Sequence, residues 1–91
     1  LWFFKEKEKT MKSSSIPTEL LLALDREFTF ATASYNPFHS AHEGYAVLLE
    51  EIRELEHEVF LNHRIRDVDA MKKEALQVAA MAMKFIVDIT G

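Results

Sequence analysis

EGYAVLLEEIRELEHEVF, residues 43–60, is the run that decides the fold. Wound at about 100° per residue, it separates into two sides. Tyr45, Leu48, Leu49, Ile52, Leu55, Val59 and Phe60 form an apolar side. Glu43, Glu50, Glu51, Glu54 and Glu58 share an arc of about 100° beside it, and Glu56 alone falls elsewhere. The basic residues that would make i,i+4 pairs along this arc are missing. Like charges gathered on one face cost stability unless something neutralises them. A solvated acidic stripe and one wall of a cation site both remain open at this point.

A second run, KKEALQVAAMAMKFIVDI, residues 72–89, has a different pattern. Met71, Ala75, Leu76, Val78, Ala79, Ala80, Ala82, Met83, Phe85, Ile86, Val87 and Ile89 cover most of the circumference of a helix. A helix apolar on most sides is buried on most sides, and in so short a chain that implies burial against another subunit. Its polar remainder is a narrow stripe of Lys73, Glu74, Gln77, Lys84 and Asp88, with Met81 among them as core filling.

The two runs have a common centre. Residue 64 is the midpoint of Glu54 and Glu74, and also of Glu51 and Gln77. A reversal within His63-Arg64-Ile65-Arg66 would make an antiparallel pair, with Glu54 level with Glu74 and Glu51 level with Gln77. Carboxylates brought together in this way repel one another unless a cation sits among them, so a divalent-metal site is the leading expectation.

The rest of the chain fits a small all-α domain. The protein has 91 residues, 48% hydrophobic, with only two Gly and two Pro, a helix-rich globular composition. So small a domain buries a limited core, which makes oligomerisation a natural source of further burial. Ser13-Ser14-Ser15 followed by Pro17 marks a linker and then a helix start, and helix 1 is expected from about Thr18 to about Ala33. Phe28-Thr29-Phe30-Ala31-Thr32 alternates like a strand, but no second strand is visible to pair with it, so helix is retained. Asn36-Pro37 breaks the chain. Ser40-Ala41-His42-Glu43 has the capping-box pattern, and helix 2 follows to about Asn62. Helix 3 begins near Asp67, an acidic residue suited to a helix amino end, and runs to about Ile89. Residues 1–14 are read as a flexible arm or leader, with Met11 as a candidate start. An arm that packs Trp2 and Phe3 onto the body or a partner is the alternative. The expected fold is all-α, a small helical domain with an antiparallel helix pair at its centre, assembling into a helical-bundle oligomer.

Composition also narrows the function. The formal net charge is -4, and no basic patch offsets nucleic-acid phosphates, so no nucleic acid is expected as a partner. No apolar run approaches membrane-spanning length, so no membrane partner is expected either. There are no cysteines. That excludes disulfides and Cys-based zinc sites and fits a reducing, cytoplasmic location. No Gly-rich phosphate loop and no serine elbow occur. His39, His42, His57 and His63 lack zinc-protease spacing and read as surface or turn residues.

Magnesium takes hard oxygen ligands and keeps several waters. Three carboxylates and an amide oxygen on two rigid helices can hold one or two such ions and leave positions for phosphate oxygens. Metal-bound water is a better nucleophile and metal-bound phosphate a better electrophile. Lys84 or Lys73 could neutralise a transferring phosphoryl group. These residues suit magnesium-dependent hydrolysis of a phosphoanhydride.

From about Phe38 to Asp88 the chain resembles the MazG-like group of all-α nucleoside triphosphate pyrophosphatases, and on that resemblance residues 15–91 are expected to form a MazG-like helical domain. The resemblance is carried by His42 to Leu55 and by Lys73 to Ala82. The group's pattern is E-E-x-x-E, a variable spacer, then E-x-x-D. Glu50, Glu51 and Glu54 match its first part. Glu74 opens the second, and Gln77 stands where the group has Asp. The resemblance implies cleavage of a (d)NTP to a (d)NMP and pyrophosphate, as nucleotide-pool house-cleaning. It also implies Mg2+ as cofactor, with Mn2+ as a substitute, and a homo-oligomer, dimer or tetramer. Carried over by position, Glu51, Glu54 and Glu74 become metal ligands and Gln77 takes the place of a ligand Asp. Glu50 becomes a catalytic candidate, either supporting a ligand from behind or activating water. Lys84 is the catalytic cation and, with Lys73, a substrate-binding candidate. An amide oxygen lacks the Asp charge, so weaker metal binding is expected. The competing expectation is a non-catalytic helical oligomerisation module on the same scaffold. Base selectivity would come from outside the metal, with Arg26, Phe28, Phe30 and the Tyr35–His39 loop as candidates.

Overall fold

The computed structural model of the chain describes residues 15–60 and 67–91. They form three α-helices and no strand: α1 (Thr18–Ser34), α2 (Ala41–Phe60) and α3 (Val68–Phe85). A π-helical turn (Ile86–Thr90) extends α3. The expected arm at residues 1–14, the end of helix 2 at Asn62 and the reversal at residues 63–66 lie outside the described residues. No helix among the described residues is long and apolar enough to cross a membrane.

Local chemistry explains most of the boundaries. Pro17 precedes α1 in an extended conformation, and its carbonyl accepts from the N–H groups of Leu20 and Leu21 at 3.0 Å. The fixed φ of proline suits that position, where a missing N–H costs nothing. The strand-like Phe28–Thr32 segment is helical, and α1 ends where Tyr35 turns extended. Isolated alternation cannot hold a strand without a partner.

At the start of α2, Ser40 Oγ accepts from the Glu43 N–H at 3.1 Å. The Glu43 carboxylate reaches one residue further back than a standard capping box requires and accepts from the His39 N–H at 2.6 Å. At the start of α3, Asp67 caps through its carboxylate, which accepts from Ala70 N–H at 3.1 Å. The α-helical geometry expected as far as Ile89 stops sooner. The last turn widens to π geometry, and Thr90 Oγ1 donates back to the Ile86 carbonyl at 2.8 Å.

Helix α3 is the middle rod, packed against both α2 and α1. Its inward face is built on Ala80, Met81 and Lys84, which are buried. The narrow polar stripe expected from the sequence is therefore the side turned into the molecule at Met81 and Lys84. Apolar residues at the end of that helix, Ile86 and Val87, are exposed. The reason is that Lys84 finds partners inside, so polarity alone does not decide its direction.

Gly44, buried on α2, lets the helix pass close to two rings. A Cβ placed there would lie 2.6 Å from Phe85 Cδ2 and 3.0 Å from Phe38 Cδ2. The start of α2 thus lies against the end of α3 and the preceding loop.

Candidate metal centre

The acidic arc of α2 meets α3 at one place. Glu51 and Glu54 from α2 and Glu74 from α3 each present a carboxylate oxygen, and the three oxygens lie within 4.8 Å of one another. Glu51 and Glu54 are one helical turn apart, so a single face supplies both. Two oxygens on opposite sides of an octahedral Mg2+ are about 4.2 Å apart, a span comparable to the observed one.

The electrostatics are unfavourable for carboxylates alone. Glu51 Oε2 and Glu74 Oε2 are buried atoms with no hydrogen-bond partner. Burial is the main cause that pushes Glu51 from its ordinary value of 4.5 up to about 7. The charge of Glu54, a shared proton with Glu54, and the charges of Glu74 and Glu50 act in the same direction. Glu74 is also raised, first by burial and then by Glu54, with Lys73 opposing. A proton shared between two carboxylates relieves part of this, as does a cation. Hard oxygen donors, two with unpartnered inner atoms, fit a Mg2+-like ion.

Gln77, expected level with Glu51, lines a cavity of about 80 Å³ together with Glu51. Glu27, Phe30, Ala31 and Tyr35 from the α1 side, and Ala80 and Met81 from α3, complete its wall. Phe30 and Tyr35 are among the selectivity candidates named from the sequence. Glu27 is not, because its context of alternating charge and apolar residues carries no distinguishing signal. Phe28 does not line this cavity.

The remaining candidates are placed apart. Glu50 is exposed on α2 and outside the cluster, although its charge contributes to raising Glu51. Lys73 is exposed beside Glu74. Lys84 is only 1% exposed and occupied elsewhere. It is ten residues beyond Glu74, about 15 Å along the helix. Its Nζ donates to the Asn36 carbonyl at 2.9 Å, pairs with Asp88 and lies 4.3 Å from the centre of the Phe38 ring. Asp88 also accepts from Phe38 N–H at 3.0 Å. The Lys84 hydrogen bond and the Phe38 N–H hold the Asp88 carboxyl below its ordinary value. In place of the phosphate cation expected from the sequence, Lys84 fastens the α1–α2 loop to the end of α3. Its i,i+4 spacing from Asp88 is the legible signal of that role. His39 is exposed and lies 3.6 Å from Glu43; His42 and His57 are exposed too. No family model, curated protein or solved structure matches the chain.

Proposed function

We propose that the protein is a Mg2+-dependent nucleoside triphosphate pyrophosphohydrolase, cleaving (d)NTP to (d)NMP and pyrophosphate. The observation that carries this reading is the convergence of Glu51, Glu54 and Glu74, with two inner oxygens left without donors. These three carboxylates would hold Mg2+ or Mn2+, with the Gln77 amide next along α3. When bound, the ion polarises a phosphoryl oxygen and lowers the pKa of a bound water. Glu50, exposed beside Glu51, would accept a proton from water. Lys73, beside Glu74, would offset phosphate charge. Lys84 has no part in this chemistry, because its ammonium is engaged by Asn36 and Asp88.

The reading includes an antiparallel α2–α3 pair. Two contacts support it: the beginning of α2 lies by the end of α3 at Gly44 and Phe85, while the middle of α2 meets the earlier part of α3 at Glu54 and Glu74. It also includes a homo-oligomer, dimer or tetramer. Among the described residues the fully buried apolar ones are Ala31, Ala80 and Met81, whereas Leu22 is 60% and Phe30 67% exposed. A second copy would cover such surface.

That apolar surface is also what a non-catalytic oligomerisation module would show. Such a module has no use for converging, unpartnered carboxylates. Pyrophosphate release from a panel of standard and modified dNTPs with Mg2+ separates the two. We expect release by the wild type from at least one dNTP and a fall of at least about a hundredfold in Glu54→Gln, an order of magnitude typical of lost metal chemistry. Release that persists in Glu54→Gln counts against this centre. No release from any nucleotide favours the module.

A further inference from the structure

We propose that the groove between α1 and α3 binds a polyphosphate chain, with Arg26 and Lys73 clamping its anionic oxygens beside the carboxylate cluster. This rests on the nucleotide reading above and assigns the part of the site that holds the phosphates.

Arg26, Glu27 and Phe30 from α1 face Lys73 and Gln77 from α3 across a groove of about 400 Å³. Arg26 and Phe30 are four apart, as are Lys73 and Gln77, so each helix presents one stripe. Glu27, Phe30 and Gln77 also line the smaller cavity that Glu51 helps to close. The groove is therefore continuous with the metal-side carboxylates.

Charge decides the class of ligand. Among the described residues His39–Glu43 and Lys84–Asp88 are the close charge pairs; Arg26 and Lys73 belong to neither, and Lys73 is drawn only through space by the charge of Glu74 beside it. Glu27 is the groove's one carboxylate against these two cations. A region of excess positive charge thus adjoins a strongly acidic cluster, within a chain of net charge -4. A bare cation would be served by the carboxylates and repelled by Arg26 and Lys73. An acidic peptide would be repelled by Glu51, Glu54 and Glu74. A polyphosphate that brings a divalent ion satisfies both ends, its metal on the carboxylates and its free oxygens on the cations. Arg26 supplies a planar fork suited to phosphate, and Lys73 a mobile point charge.

Sodium tripolyphosphate, which has no base or sugar, is the probe. Its affinity is measured by titration calorimetry with Mn2+ for wild type, Arg26→Gln, Lys73→Gln and the double variant. Removing either cation should weaken binding about tenfold, and removing both about a hundredfold. Mn2+ affinity without phosphate should not fall in the double variant. A double variant that binds tripolyphosphate within about threefold of wild type overturns the clamp, as does a wild type that binds none. Mn2+ binding unaffected by Glu54→Gln would instead sink the metal centre, and the tripolyphosphate comparison would still decide the clamp.

Discussion

Glu51 concentrates the tension in this molecule. Its carboxylate is partly buried, one inner oxygen has no donor, and Glu54 and Glu74 lie beside it. A group with a raised folded-state pKa favours folding while protonated and disfavours it once ionised. Glu51, raised to about 7 from 4.5, therefore makes the metal-free protein lose stability as pH rises from about 4.5 through 7. Glu74 acts in the same direction. Asp88, lowered from 3.8, stabilises above that value, and its contribution is lost only as pH falls below it, outside the Glu51 window. Thermal melts in chelator should thus show a lower Tm at about pH 8 than at about pH 5.5. Glu51→Gln should flatten that slope, and Mn2+ should restore the loss at the higher pH. A wild-type slope unchanged by Glu51→Gln would remove Glu51 as its source.

At the scale of the helices, local chemistry is readable from the sequence and tertiary chemistry only in part. Ser40 and Asp67 cap where the sequence places them, because a cap depends on three or four adjacent residues. The meeting of Glu51, Glu54 and Glu74 is legible because the acidic arc lacks basic partners and its spacing points to Glu74. The direction of the α3 stripe is not. Lys84 is inward because a loop carbonyl, Asn36 O, and the Phe38 ring receive it, and nothing in the helical repeat announces either. The same packing gives Gly44 a definite role. In an exposed helix, Gly→Ala gains about 1 kcal/mol. Here the new methyl would enter the Phe85 ring at 2.6 Å, and overpacking of this kind costs about 1–3 kcal/mol. Gly44→Ala should therefore lower the urea midpoint of unfolding. A raised midpoint would show that Phe85 moves aside freely.

For the molecule as a whole, one helix serves two neighbours, and large apolar side chains elsewhere stay exposed. Helix α3 packs on α1 and α2, yet Ile52, Phe60, Ile86 and Val87 remain at least 42% exposed. Large exposed apolar area is uncommon on small monomers. Sedimentation equilibrium at micromolar concentration should report a mass of two or four chains of 10.5 kDa. A folded 10.5 kDa species under those conditions would contradict the oligomer. The proposed metal centre is independent of that outcome, because its three carboxylates come from one chain. It is tested most directly by anomalous diffraction at the manganese edge from crystals soaked in Mn2+. The expected result is a peak among Glu51, Glu54 and Glu74, with their oxygens at about 2.0–2.3 Å. A soaked crystal with no peak there, and those carboxylates turned away from one another, would contradict it.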